Sequence, residues 1–476
     1  MIRSRPLVFV LCAVFFTATA AAQGVTLPDA QRVQLENGIV FILHEKHDVP
    51  LVGLQAIIRG GAVTDPADRA GLASLLAGLL EKGAGERSAA EFAESIDAVG
   101  GSLSARAGLE SITIAGEFLA RDTDLMIELL ADMLQSPTLD AAEMKKLRDR
   151  QINLIRAAKD GDLRRLSSTY GKAFLFGEHP YGTAIDGDEA SLAKITHRDV
   201  REYYADYVGS DRLIVAVVGD FDADAMTEKL TTAFADWEPA AAPLPEIEAP
   251  VPNEGRRVLL VDKPGATQTY FWIGNTGVAI SFPRRPELDI ANTLFGGRFT
   301  SLLMDEMRTK AGLTYGARSS LLRPSQPGYV ATVSYTATET TVAAIDLALE
   351  LLIRIREQGF DDEALASGKN YILGQFPPDL ETASQLAGQF AELDAFGLDE
   401  SFINDYGDAI AAADSEAIRS VISEVYPAPE NLVFVILGDA ELIRENISTY
   451  GTVTEMTISE PHFRPESLSG EVMPRR

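Results

Sequence analysis

AGLASLLAGLLEKGA, residues Ala70 to Ala84, sets its apolar residues at helical spacing and closes on Lys82-Gly83, a usual helix stop. The stretch predicts a helix, and its periodicity alone describes a core helix. Its surroundings are more telling. Just upstream, Val33 to Arg59 reads as two strands. An Asn37-Gly38 turn precedes a β-rich run from Ile39 to Leu43; a polar break at Asp48 and Pro50 precedes a second run from Leu51 to Ile58. Downstream, Ser88 to Val99 is helical with Ser88 as the expected N-cap. Gly100-Gly101 then leads into SLSARAGLESITIAGEF, which alternates as a strand does.

Further out the pattern turns almost wholly helical. Asp122–Gln135, Asp140–Lys159, Asp162–Phe176 and Thr196–Val208 carry apolar residues three and four apart, each opened by acidic or hydroxyl residues. A strand, Arg212 to Val218, closes on Gly219-Asp220, and residues 240–255, rich in Pro, Ala and Glu, read as a linker. The order then recurs. LIVAVVGD, Leu213 to Asp220, returns as LVFVILGD, Leu432 to Asp439, at an offset that also pairs Tyr207 with Tyr426. The chain is therefore expected to be α+β, with two similar domains of about 200 residues, an ordinary domain size. Their expected limits are residues 30–239 and 256–463, with a polar tail at 464–476.

Composition narrows the function. Among 476 residues, 42 are basic and 70 acidic, a net charge of −28, which argues against a nucleic-acid or anionic-membrane surface. Residues 1–22 have Arg3 and Arg5, an apolar run from Leu7 to Phe16 and a small-residue end at Ala20 to Ala22, the pattern of a secretory signal. The run is too short for an ordinary transmembrane helix. The single cysteine, Cys12, lies inside this segment, so the mature chain is expected to hold no disulfide and no cysteine-ligated metal. Export without disulfides points to a bacterial periplasm. His44 and His47 are spaced like a metal pair, but residues three apart on a strand face opposite ways, and polar residues at a strand end account for them better. His197 and His462 have no ligand-like neighbours.

Gly71-Leu72-Ala73, the leucines and the closing Lys82-Gly83 resemble the active-site helix of the pitrilysin/insulinase family of zinc peptidases. There the order is G-L-A-H-x-L-E-H, and the inverted H-x-x-E-H sets two histidines and a glutamate on one helical face. Here those positions are Ser74, Ala77 and Gly78, and the register of the family's remaining glutamate ligand falls on Ile155. Every metal position is thus replaced. The resemblance covers roughly residues 30 to 460 and implies a processing-peptidase-like fold of paired domains, each an antiparallel-rich sheet flanked by helices. His179, in EHPYG, resembles the family's His-Pro-Tyr loop.

The resemblance also supplies candidate binding residues. In active relatives the strand after the glycine pair takes the substrate backbone as an added strand. Here that is Ser102 to Ala107, including Ser102, Leu103, Ser104 and Ala105, with an edge strand blunted by Arg106 as the other reading. LFGGRFTSLLMDEMRTKAGLTYG, residues 294–316, resembles the family's glycine loop, helix and Arg/Tyr pair, with Gly296-Gly297 opening the loop, a helix from Ser301 to Lys310 and a strand from Tyr315. The pair would be Arg308 and Tyr315, a cation and a phenol of the kind that orients a peptide and stabilises a developing oxyanion. Outside the family, they read as a solvated helix charge and a strand-packing aromatic. A chain without zinc ligands but with this pair resembles the non-catalytic member of two-subunit enzymes, such as the mitochondrial processing peptidase α subunit. That implies no metal in this chain, zinc in an H-x-x-E-H partner, and a peptide substrate held between the two. A peptide-binding or scaffold protein, as in the core subunits of a respiratory complex, is the alternative. A hydrolase of another type has no marked Ser/His/Asp arrangement to support it.

Overall fold

The computed structural model describes residues 26–376 and 380–465. The expected signal segment with Cys12, and residues 466–476 of the tail, lie outside them. The first half holds strands β1 (Gln31–Gln34), β2 (Val40–Glu45), β3 (Leu51–Arg59), β4 (Gly83–Ala84), β5 (Arg87–Ser88), β6 (Ser102–Ala107), β7 (Ser111–Leu119) and β8 (Leu213–Gly219). Six of them form a sheet in the order β1-β2-β8-β3-β7-β6, in which only β2 and β8 pair in parallel. The second half holds β9 (Arg257–Asp262), β10 (Gln268–Thr276), β11 (Ala317–Leu322), β12 (Tyr329–Ala337), β13 (Val433–Gly438) and β14 (Thr452–Thr457), ordered β11-β12-β10-β13-β9-β14.

Read from opposite edges, the two sheets share one plan. β9, β13, β10, β12 and β11 occupy the places of β2, β8, β3, β7 and β6, and β9·β13 is parallel as β2·β8 is. They differ at one edge: β1 enters antiparallel from the N-terminal side, whereas β14 returns parallel from the C-terminal side. The central strands explain the apolar runs in the sequence. β8 and β13 are buried at every position because both faces of each sheet are covered, so their side chains have no solvent side.

The second cover crosses between halves. The Leu163–Phe176 helix of the first half lies on β10 and β13 of the second sheet, and the Ala383–Phe396 helix of the second half lies on β3 and β8 of the first. Val40, Ile42, Ile214, Ala216 and Val218 pack there against Leu386, Ala387 and Phe390. Close approach at each crossing needs glycine. A Cβ on Gly53 of β3 would lie 2.5 Å from the Ser384 backbone nitrogen, and one on Gly171 would lie 2.6 Å from the Trp272 ring.

Most predicted elements stand, with helices at Ala89–Asp97, Thr123–Gln135, Ala141–Gly161 and His197–Tyr207. Ser88 caps the first in a reciprocal capping box with Glu91. Residues 240–255 run without helix or strand, and their first residues are tied by Ala241 and Ala242 N–H donors to the Ala205 and Asp206 carbonyls. Around residue 300 the structure departs from expectation. Gly296-Gly297 end a widened helical segment, Thr293–Gly297, rather than opening a loop; the next helix is regular only at Leu302-Leu303 and then widens over Met304–Lys310. Ala311 N–H reaches back five residues to the Glu306 carbonyl, the mark of a π-turn. The following strand begins at Ala317, not Tyr315.

Candidate functional site

Asp65 sets the start of the Leu72–Leu80 helix. Its carboxylate accepts from the N–H groups of Gly71 at 2.8 Å, Leu72 at 3.1 Å and Ala73 at 2.9 Å, donors a helix start leaves without intrahelical partners. So anchored, the helix turns Ser74, Ala77 and Gly78 to a cleft of about 670 Å³ that Leu147, Gln151 and Ile155 of the Ala141–Gly161 helix also line. Ser74, Gly78 and Ile155, at the family's three ligand positions, and Ala77, at its catalytic glutamate, all face one cavity. Ser104 and Ala105 of β6 line it too, while Ser102 and Leu103 lie beyond it on the same strand.

The donor set does not suit zinc. A catalytic site needs three nitrogen, oxygen or sulfur ligands with an activated water, and Ala77, Gly78 and Ile155 carry no side-chain donor atom. Ser74 is already engaged: its hydroxyl donates to Asp186 at 3.0 Å, and Gln151 Nε2 donates to it at 3.3 Å and to the Asp186 carbonyl at 2.6 Å. No step through a metal in this chain follows. The histidines are dispersed. His44 contacts the Asp29 carbonyl, His179 the Glu248 carbonyl and His197 the Leu139 carbonyl, while His462 faces Asp188. His47 sits between Asp220 and Glu45, which hold its imidazole above the ordinary histidine value.

Gly78 gives a direct measure of the altered helix face. A Cβ there would stand 3.3 Å from the end of the Leu147 side chain, which borders the cleft and has room to shift. Gly78→Ala is accordingly expected to raise stability by about 0.5 kcal/mol, part of the roughly 1 kcal/mol that mid-helix glycine costs. Urea unfolding checks this; a loss of stability would mean that Leu147 is locked.

β6 is an edge strand, as expected. Its Ala105 N–H points away from β7 and donates to Glu81 Oε1 at 2.7 Å. By the alternation of strand backbone, Leu103 and Ala107 present their main-chain groups on the same outer side. Sequence reasoning missed Glu81. The available signal was an acidic residue about one turn beyond Gly78, directly after the Leu79-Leu80 pair that ends the helix.

Arg308 and Tyr315 lie elsewhere, outside the cleft. Arg308 stacks its guanidinium over Phe299, 4.8 Å from the ring centroid, on the widened helix. Tyr315 is 80% exposed in the loop before β11, so it is not the strand-packing aromatic that its sequence alone suggested. Phe299 is 72% exposed.

Residues 40–174 match the model described as "Insulinase (Peptidase family M16)", and residues 194–372 match "Peptidase M16 inactive domain". An uncharacterized zinc protease, YmxG, of Bacillus subtilis is 25% identical over 354 residues, covering 74% of this chain and 85% of the relative. A protein of Helicobacter pylori named non-peptidase homolog YmxG is 25% identical over 355 residues, covering 73% and 79%. Among solved structures, a peptidase M16 inactive domain from Pseudomonas fluorescens aligns with a TM-score of 0.80 at 20% identity, covering 86% of this chain and 98% of its own. A protease from Helicobacter pylori aligns at 0.78 and 21%, covering 86% and 100%, so the fold is shared by both. With two models of one family matched in tandem and the replaced ligand positions gathered in the cleft where that family's motif would fall, this chain belongs to the insulinase family, peptidase family M16.

Proposed function

We propose that this chain is the non-catalytic subunit of an exported, periplasmic two-chain peptidase, holding an extended peptide for a homologous subunit that carries H-x-x-E-H and zinc. The observation that carries the reading is a cleft kept open at about 670 Å³ beside an edge strand although every ligand position in it is replaced. The Helicobacter pylori homologue that bears the non-peptidase name supports the loss of hydrolysis in this chain as well. Exposed Tyr315, and Arg308 beside exposed Phe299, suit a surface completed by a substrate or a partner. In this role Arg308 and Tyr315 orient the peptide and stabilise charge, and the reacting water and metal belong to the other subunit.

One observation favours the scaffold alternative. Glu81 already occupies the Ala105 donor, so a peptide strand adding to β6 must displace it or pair only at Leu103 and Ala107. Hydrolysis separates the two readings. The purified chain alone is expected to leave peptides intact, and its mixture with an H-x-x-E-H homologue from the same organism to cleave them until a chelator is added. In the mixture Arg308→Ala and Tyr315→Phe should each lower kcat/KM about tenfold, less than a fully buried oxyanion donor would, without dissociating the complex. Unchanged rates in both variants would remove the pair from the mechanism.

A further inference from the structure

The cleft has an unbalanced charge. Arg106 of β6, Arg150 of the Ala141–Gly161 helix, and Arg165 and Lys172 of the Leu163–Phe176 helix all border it. None of the four makes a salt bridge or a side-chain hydrogen bond among the described residues. Their helix neighbours behave otherwise: Arg148 donates to the Ile195 carbonyl, Arg156 and Lys159 pair with Glu189, and Arg164 stacks on Tyr335. The two carboxylates in the lining, Glu81 and Asp186, already accept from Ala105 and Ser74. A chain of net charge −28 thus assembles four unpaired cations in one cavity.

Lys172 is half-buried, whereas Arg106, Arg150 and Arg165 are exposed. Burial lowers its ammonium below the ordinary lysine value, with Asp186 pulling the other way. Asp186 is the one carboxylate that acts on it, and Asp186 already accepts from Ser74, so the cavity keeps an excess of positive charge for an arriving anion to meet. Leu147, Leu154 and Ile155 line the same cavity with aliphatic surface, Leu154 being 52% exposed. A volume of about 670 Å³ is far more than one small inorganic ion fills and is ordinary for an organic ligand. Ser104 to Ala107 of β6 border the cavity, so outward main-chain groups stand beside both the cations and the aliphatic surface.

We infer that the cleft binds a peptide through a carboxylate held by Lys172 and Arg165, with an aliphatic side chain against Leu147, Leu154 and Ile155. The cavity that carries the metal motif in relatives would here select acidic peptides or peptide C termini. This rests on the peptide-holding part of the proposed function and not on its partner subunit. Binding without reconstituted cleavage would count against the partner alone, and cleavage without carboxylate preference against this inference alone.

Calorimetric titration of the full chain with three hexapeptides tests it: a free acid ending in leucine, its C-terminal amide, and the amide with one internal glutamate. The free acid is expected to bind at least tenfold more tightly than the plain amide, and the affinity should fall with added salt. Recovery of affinity by the internal glutamate would identify a side-chain carboxylate as an equal source; no recovery would restrict the site to C termini. Lys172→Met should weaken the free acid at least tenfold and leave the plain amide unchanged. Arg165→Gln should do the same to a smaller degree, which keeps the test open should Lys172→Met fold poorly. Equal affinity for acid and amide, no binding of any of the three, or insensitivity to both variants would overturn the inference.

Discussion

Gly53→Ala is expected to destabilise the chain by about 3 kcal/mol, at the upper end of what overpacking costs, because the new methyl would meet backbone rather than a movable side chain. Its Cβ would fall 2.5 Å from Ser384 N, 2.7 Å from Ser384 Cα and 2.8 Å from the Ala383 carbonyl carbon. This is where the helix of the second half seats on the first sheet, held also by the Ser384 hydroxyl donating to Glu117. The variant should therefore loosen one half from the other before either unfolds. A lowered urea midpoint with a broadened or split transition is the expected result. Gly388→Ala, on the same helix with nothing within 4 Å of its Cβ, should instead be neutral or stabilise by up to about 1 kcal/mol. Equal losses in both would place the effect in the helix and not in the crossing.

Asp65→Ala should cost a similar amount, about 3 kcal/mol, since it leaves three N–H groups at the start of the Leu72–Leu80 helix without their acceptor. The helix carries one wall of the cleft, so ligand binding there should fall with stability. Asp65 also gives stability a pH dependence. Burial pushes its carboxyl up to about 7, against the pull of the three donors. The folded state therefore holds that proton more tightly than the unfolded chain, where the pKa is about 3.9. The group's contribution is fully present below about pH 4, declines as pH rises through about 7, and is level above that. Asp65→Asn, which keeps one acceptor oxygen, should flatten this slope while costing less than alanine. A slope unchanged in Asp65→Asn would assign the pH dependence to other groups.

How much of this was readable beforehand depends on whether the signal is local. The Leu72–Leu80 helix, the Ser88 cap, the Asn37-Gly38 turn and the edge strand Ser102–Ala107 are written in spacing and turn residues, and they lie where the sequence places them. Gly78 and Ile155, which family spacing pairs, border one cavity, because the two helices that carry them turn these faces to it. What could not be read is who covers whom. Periodicity shows that Ala383–Phe396 has an apolar face, but nothing in it says that the face lies on β3 and β8 of the other half. The Glu81 contact to Ala105 and the four unpaired cations are hidden for the same reason: pairing is a property of distance in space. At Tyr315 local reading failed. The widened helix over Met304–Lys310 and the turn at Gly312, with φ 64°, delay the strand by two residues and leave the ring in water.

A chain that completes a peptidase without supplying its metal chemistry, as proposed here, must act at a fixed stoichiometry. A fixed amount of the H-x-x-E-H homologue would be titrated with the purified chain while the initial rate of peptide cleavage is followed. Negligible cleavage is expected from either protein alone, and in the titration a rate that rises to a plateau at one chain per homologue. A homologue equally active alone, or cleavage that grows with this chain in the absence of any homologue, would contradict it.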